Sequence, residues 1–225
     1  VAADPRYGFV RADIADGAAM GDVFADFQPD AVLHMAAQSH VDRSIRDAEQ
    51  FIHTNIIGSH VLLEAARRHY ETLAAGRRPA FRFHLVSTDE VFGTLGLDGV
   101  FDERSAYAPN SPYSASKASA DMLASAWYRT YGLPVVISNS ANNYGPWQHP
   151  EKFIPTVLLA AMRGRPIPIF GDGSNIRDWL HVDDHAAALL AVLERGRVGE
   201  SYCIGGGAER SNIALARTLC RLLDE

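Results

Sequence analysis

The sequence predicts an α/β fold with a doubly wound parallel sheet and a smaller mixed α/β lobe. Apolar runs of about five residues alternate with amphipathic segments of ten or more up to about Gly145. That alternation is typical of parallel strands connected by helices. Two of the apolar runs, ending near Val86 and Ser138, are followed directly by polar residues. In such sheets the carboxyl ends of the strands carry the ligand site.

Composition excludes several classes of protein. With 225 residues and 47% hydrophobic content, the chain can form one sizeable core, or one domain and part of another. The formal net charge of -6, without a basic run, argues against nucleic-acid and membrane-surface binding. No apolar run approaches the roughly 20 residues of a membrane span, and no secretory signal opens the sequence. A cytoplasmic enzyme is therefore expected.

The two cysteines, Cys203 and Cys220, show no C-x-x-C spacing, so no metal site is expected. The histidines fall on different predicted elements, without the H-x-x-x-H spacing of a helical metal site. In a reducing cytosol two thiols are expected rather than a disulfide.

Hydrophobic periodicity and turn residues place the elements along the chain. The predicted strands are residues 9–13, 31–35, 81–86, 134–138 and 201–204. The predicted helices are residues 18–27, 42–70, 112–131, one that follows residues 150–155 and ends near Arg163, 183–193 and a last one near Asn212. Residues 1–8 are predicted to be a connector and residues 95–105 a surface loop.

The strand at residues 81–86 and the helix starting at Pro112 form the centre of the prediction. The strand delivers Thr88, Asp89 and Glu90 to its carboxyl end. Ser111 is a natural N-cap and Pro112 suits the first helical position, which places Tyr113 and Lys117 one turn apart on one face.

This spacing indicates acid–base chemistry. A phenol has a pKa of about 10, and an ammonium group one turn away lowers the pKa and favours the phenolate. Such a pair can take a proton from a substrate hydroxyl while a hydride leaves the same carbon. Two adjacent carboxyl groups add an acid and a base, which an elimination requires. Two alternatives stay open, because Y-x-x-x-K spacings arise by chance and a Thr-Asp-Glu run also starts helices.

On these residues the chain resembles the extended short-chain dehydrogenase/reductases and, within them, the dTDP-glucose 4,6-dehydratases. The Y-x-x-x-K element marks the superfamily, and the Thr-Asp-Glu triplet is the specific part. The resemblance covers nearly the whole chain and rests on residues 35–42, 87–93, 142–146, 150–152 and 176–179, with Tyr113 and Lys117.

The resemblance implies a Rossmann-type NAD-binding domain over residues 1–145 and a partial substrate-binding lobe over residues 146–225. It implies dTDP-glucose as substrate, NAD as cofactor and a homodimer formed through the helices that begin near Asp42 and Pro112. The implied catalytic residues are Thr88, Asp89, Glu90, Tyr113 and Lys117. The implied cofactor-binding residues are Asp13, Ile14, Met35, Ala36, Ala37, Gln38, Ser39, Thr54, Tyr113, Lys117 and Asn143. The implied substrate-binding residues are Ser39, Thr88, Asn142, Lys152, Phe153, Pro168, Ile169, Phe170, Arg177 and Asn212.

The sequence departs from the family pattern at both ends. The glycine-rich loop of the first βαβ unit is missing, and so are the segments after Glu225 that complete the substrate site in the family. We therefore expect an internal fragment that is inactive on its own. Two alternatives follow: a nucleotide-sugar epimerase or decarboxylase of the same family, and a catalytically silent chain that only binds a nucleotide sugar or a partner.

Overall fold

The computed structural model describes residues 4–95 and 99–225. Parts of the predicted connector and of the predicted loop, residues 1–3 and 96–98, lie outside the described residues. The chain divides into two compact units. The first consists of Val1–Asn139 with Ala191–Cys203, and the second of Ser140–Leu190 with Ile204–Glu225. This geometric division begins the second unit six residues before the predicted boundary and returns a later segment to the first unit. The assignment of a cofactor to one part and substrate to the other stays a prediction.

Within the described residues, short strands alternate with helices. The strands are β1 (Ala31–His34), β2 (Arg82–Thr88), β3 (Val135–Ser140), β4 (Asn142–Tyr144), β5 (Ile176–Arg177), β6 (Trp179–His181), β7 (Ser201–Ile204) and β8 (Arg210–Ser211). The α-helices are α1 (Gly17–Phe27), α2 (Val41–Arg46), α3 (Ala48–Phe51), α4 (Ser59–Thr72), α5 (Pro112–Tyr131), α6 (Phe153–Met162), α7 (Val182–Arg195) and α8 (Asn212–Asp224). A π-helical segment (Ile52–Gly58) and two 3₁₀ turns (Arg78–Ala80 and Asp89–Phe92) complete the set.

The central sheet has the strand order β1-β2-β3-β7, and β1 runs parallel to β2 with Ala31 opposite Arg82. The predicted α/β fold with a parallel sheet is confirmed. Helices α1, α4 and α5 contribute to one hydrophobic core with β2, whose Phe83 and Leu85 are fully buried. In the second unit β4 pairs with β6 in parallel and β5 pairs with β8 in antiparallel orientation.

Helix α5 begins and ends where the sequence predicts, because both ends are set by local chemistry. The Ser111 hydroxyl accepts a hydrogen bond from the Ser114 backbone, and the Ser114 side chain accepts one from the Ser111 backbone, which is a capping box. Pro112 occupies the first turn. Gly132 ends the helix with φ 69°, a left-handed conformation that glycine adopts without strain.

The residues predicted to be helical, 42–70, are helical except at Asp47, but they form three α-helices and a π-helical segment. Asp47, with φ −144° and ψ 85°, separates α2 from α3, and the chain then widens into the π-helical segment before α4. Hydrophobic spacing does not reveal this widening, because the cause is a tertiary contact described below. The predicted strand at residues 9–13 is wrong: none of the described residues forms a strand ladder with it, and its Phe9 side chain is 74% exposed.

Truncating the core at Phe83 should destabilise the first unit strongly. Phe83, in β2, is 0% exposed, and Phe→Ala changes in cores cost about 3–5 kcal/mol through lost burial and a cavity. We expect Phe83→Ala to lower the midpoint of urea unfolding followed by circular dichroism. Phe9→Ala, at an exposed position, should change the free energy of unfolding by less than about 0.5 kcal/mol. Equal losses for the two variants would contradict this picture of the core.

Candidate active site

The carboxyl end of β2 turns directly into a 3₁₀ turn that carries two acids. The Thr88 hydroxyl caps this turn by accepting a hydrogen bond from the Glu90 backbone at 3.3 Å. Thr88 also donates to Asp89 Oδ1 at 3.3 Å. Thr88 is buried, whereas Asp89 and Glu90 are half-buried. This segment therefore fixes one hydroxyl and two carboxyl groups at a single strand end.

Tyr113, in the first turn of α5, is brought to the same place. Its ring is buried and packs edge-on against Phe51, with ring centroids 6.3 Å apart. Thr88 hydrogen-bonds the phenol, and the charges of Glu90 and Asp89 act on it. The structure thus gathers the phenol, the hydroxyl and both carboxyl groups, four of the five predicted catalytic side chains.

The sequence predicts that Lys117 lowers the pKa of Tyr113, but in the structure other groups raise this pKa. Burial, followed by the negative charge of Glu90, raises the pKa of the Tyr113 phenol above its usual range, and the Thr88 hydrogen bond offsets this only in part. Lys117 instead donates from Nζ to the Val86 carbonyl at 2.8 Å. Burial lowers the pKa of Lys117, and the carboxylate of Asp121 raises it. Spacing along the helix predicted proximity but not the direction in which the ammonium group points.

A buried polar cluster behind β2 was missed from the sequence. Asp121 lies one turn after Lys117 on α5 and is 1% exposed. Its Oδ2 accepts hydrogen bonds from Ser87 Oγ at 2.8 Å, Tyr107 Oη at 3.0 Å and Asn139 Nδ2 at 3.1 Å. The available signal was an acid four residues after Lys117, on the face that the helix buries.

Asn55 was also missed, and it explains the π-helical segment. Its side chain is buried, donates to the Gln38 carbonyl at 3.0 Å and to Ser116 Oγ at 2.8 Å, and accepts from the Gln38 backbone at 2.8 Å. One amide therefore joins the loop after β1 to helix α5. π-Helical turns are often found at functional sites, where they redirect one side chain.

The predicted cofactor residues of the first unit lie in three segments. Met35, Ala36 and Ser39, in the loop after β1, are exposed, whereas Ala37 and Gln38 are half-buried; small side chains there leave the backbone open to a ligand. Asp13 and Ile14 precede α1. Asp13 accepts a hydrogen bond from the Ala15 backbone at 2.9 Å. The Ile14 side chain packs so closely on Gly58 that a Cβ atom at residue 58 would lie 2.6 Å from it. Thr54 is half-buried in the π-helical segment.

The second unit carries Asn143 and most of the predicted substrate residues. The amide oxygens Oδ1 of Asn142 and Asn143 are buried, and no described residue donates a hydrogen bond to either of them. Such orphaned acceptors suit donors on a sugar or a carboxamide.

The other predicted substrate residues are spread over the second unit. Phe153 stacks on Trp179 with centroids 6.2 Å apart, and Lys152 occupies the N-cap position of α6. Asn212 is the first residue of α8, which Ser211 caps. Of the remaining predicted substrate residues, Pro168, Phe170 and Arg177 are exposed to solvent, and Ile169 is half-buried.

A surface groove of about 490 Å³ between α1 and α4 contains none of the predicted site residues. Its lining comes from α1, α4 and Gln28, so we give it no catalytic role. Both cysteines are free and partly buried. Among residues 4–95 and 99–225, no helix has the length and apolar character needed to cross a bilayer, and no cluster of metal-ligating side chains is found.

The family model and the curated relative that match this chain are both 4,6-dehydratases. The family model described as GDP-mannose 4,6 dehydratase matches residues 1–224. The dTDP-glucose 4,6-dehydratase of Neisseria meningitidis is 55% identical over 226 residues, covering 100% of this chain and 64% of the relative. The chain therefore spans slightly less than two thirds of that relative's length.

Two solved structures are similar over most of this chain. The dTDP-glucose 4,6-dehydratase DesIV of Streptomyces venezuelae, solved with NAD bound, has a TM-score of 0.91 and 46% identity, covering 100% of this chain and 66% of that one. The UDP-glucose 4-epimerase of Thermotoga maritima has a TM-score of 0.86 and 31% identity, covering 96% and 68%.

Proposed function

The chain belongs to the GDP-mannose 4,6-dehydratase family, and from that premise we propose that its protein dehydrates dTDP-glucose to dTDP-4-keto-6-deoxyglucose with NAD. One observation carries the proposal: Tyr113 is buried beside Thr88 and within the field of the Glu90 and Asp89 carboxylates. A phenolate base is enough for the proton transfer when an alcohol gives its hydride to a nicotinamide. A phenol with two acids at one strand end also suits an elimination.

The residues present fit a dinucleotide on this structure. The exposed backbone after β1 has small side chains at Ala36 and Ala37, and the amide oxygen of Asn143 lacks a donor among the described residues. Met35 to Ser39, Asp13, Ile14 and Thr54 would hold the cofactor in the first unit. Bound NAD would supply a hydride acceptor for C4 and later a hydride donor for C6.

The chain's own residues move the protons. Tyr113, as phenolate, takes the proton of the C4 hydroxyl, and Thr88 holds the same oxygen. The new ketone makes the C5 hydrogen acidic, so Glu90 can remove it and return a proton to C5 when C6 receives the hydride. Asp89 gives a proton to the C6 hydroxyl, which leaves as water. Lys117, one turn after Tyr113 on α5, supplies a positive charge that favours the phenolate.

Substrate residues in the second unit supply the remaining contacts. Arg177 and Lys152 provide cations for a diphosphate, which a planar guanidinium pairs well with. Phe153 and the segment Pro168, Ile169 and Phe170 offer apolar surface for the base, and Asn142, Asn212 and Ser39 offer polar groups to the sugar.

Isotope transfer tests the reaction. In the protein at its native length, dTDP-glucose deuterated at C4 should yield product deuterated at C6, measured by mass spectrometry and NMR. Product in which the label is lost to solvent or stays at C4 would reject the proposed mechanism.

The likeness to a UDP-glucose 4-epimerase favours a second candidate, an epimerase or decarboxylase of the same family. Turnover of the nucleotide sugar without loss of water would select it. A third candidate is a silent binding chain, which calorimetric titration would reveal as affinity for dTDP-glucose or NAD without turnover.

We also propose a cytoplasmic homodimer. Ile45 on α2 and Met122 on α5 are large apolar side chains that are 68% and 59% exposed, and such residues favour a partner surface. Charged residues in their place, in Ile45→Glu and Met122→Glu, should reduce the mass measured by sedimentation equilibrium from dimer to monomer. A monomeric unsubstituted protein would refute the dimer.

A further inference from the structure

The buried carboxylate of Asp121 has no part in the proton transfers described above, yet its surroundings are highly organised. Three donors reach its Oδ2 from three segments: Ser87 from β2, Tyr107 from the loop before α5, and Asn139 from β3. A carboxylate with 1% exposure is costly unless it is paired and hydrogen-bonded. Its hydrogen bonds therefore stabilise a charge that the fold could have avoided with an amide or an apolar side chain.

The charge of Asp121 interacts with the buried cation Lys117. Oδ1 is buried and no hydrogen bond from a described residue reaches it. Lys117 lies four residues earlier, one turn away on the same helix, and its Nζ bonds the Val86 carbonyl. The two charges act on each other: the Asp121 carboxylate raises the pKa of Lys117, and Lys117 lowers that of Asp121.

The same cluster supports the strand end that carries Thr88. Asn139 Nδ2, which binds Asp121, also donates to the Thr88 carbonyl at 3.2 Å. Ser87, the neighbour of Thr88 in β2, binds Asp121 directly. Asp121 is therefore connected to both sides of the site, through Lys117 on the helix and through the last residues of β2.

We propose that Asp121 is a positioning residue, whose carboxylate keeps Lys117 charged and holds the end of β2 in place for Tyr113 and Thr88. The inference rests on the proposed function for its catalytic consequence, but its electrostatic part does not need turnover. Asp121 touches no substrate group in this account and acts through Lys117 and Thr88.

Groups on three described elements interact with Lys117. They are Asp121 on its own helix, the Val86 carbonyl on β2 and His34 on β1, whose pKa is lowered to about 3 by burial and, less strongly, by Lys117. His34 is therefore neutral near pH 7 and does not compete for the carboxylate. Burial raises the pKa of Asp121 to about 6, so its negative charge is present above that pH.

Lysine NMR gives a direct test. In the native-length protein labelled with ¹³C at lysine Cε, the signal that disappears in Lys117→Arg is that of Lys117. Asp121→Asn should lower the titration midpoint of Lys117 by about 1 to 3 pH units, the effect of losing an adjacent opposite charge. Asp22→Asn removes the same charge from an exposed position on α1 and should leave the midpoint unchanged. An unchanged midpoint in Asp121→Asn would overturn the proposal.

The kinetic test uses Tyr107→Phe, which keeps the ring that packs on Phe92 and deletes one donor to the carboxylate. Losing a donor to the charged form raises the pKa of Asp121, so the acid limb of kcat/KM should move up by about one pH unit. If deuterium moves from C4 to C6 but the acid limb of kcat/KM does not shift in Tyr107→Phe, only the catalytic part of this proposal is overturned. Absence of label transfer, together with a shifted Lys117 midpoint, would overturn the proposed reaction and leave the Asp121–Lys117 coupling supported.

Discussion

Replacing Tyr113 by phenylalanine is expected to lower kcat for dTDP-glucose by about 10²- to 10⁴-fold, the contribution of a positioned general base. The hydroxyl that receives the C4 proton is lost, whereas the ring that packs on Phe51 remains. KM should change little, because the interaction removed is made mainly in the transition state. Steady-state kinetics with the native-length protein, followed by product formation, measures both parameters.

Tyr131→Phe is the matched control, since Tyr131 lies at the exposed C-terminal end of the same helix. Its kcat should stay within about two-fold of the unsubstituted protein, as expected for a surface change away from the site. If Tyr113→Phe behaves like this control, the phenol is not the base, and the role proposed for the Y-x-x-x-K element is lost.

Replacing Glu90 by glutamine should separate oxidation from elimination. Tyr113 and Thr88 remain, so the C4 oxidation should still occur, but the group that removes the C5 proton is neutral. We expect reduced nicotinamide to accumulate, seen by its absorbance, while formation of the dehydrated product falls by about 10²- to 10⁴-fold. Exchange of the C5 hydrogen with deuterated water should fall in parallel.

Asp89→Asn gives the contrast on the neighbouring carboxyl. It should leave C5 exchange in place and slow only the loss of water, because the acid that protonates the C6 hydroxyl is missing. A Glu90→Gln variant that also fails to oxidise C4 would show that Glu90 supports the first step, and the division of roles between the two acids would be wrong.

Local signals in the sequence predicted the parts of the fold whose causes are local. Helix α5 is the clearest example, because Ser111, Pro112 and Gly132 act on backbone groups within a few residues of themselves. The resemblance to dTDP-glucose 4,6-dehydratases, inferred from short motifs, is confirmed by relatives that match the whole chain.

Features caused by contacts distant in sequence were not predicted. The widened turn around Asn55 depends on its bonds to Gln38 and Ser116, which are 17 and 61 residues away. The cluster around Asp121 depends on Ser87, Tyr107 and Asn139 arriving from other elements. Neither set of hydrogen bonds produces a periodicity or a residue spacing within one segment of the sequence.

The sequence by itself determined the alternation of strands and helices, the boundaries of α5 and the side chains gathered at the end of β2. These follow from hydrophobic periodicity, capping and the polarity of parallel strands, which act locally or through the order of elements. Only the tertiary structure decided where the Lys117 ammonium points and which carboxylate faces it. Burial and long-range hydrogen bonds set the charge of a side chain, and both exist only once the elements have packed.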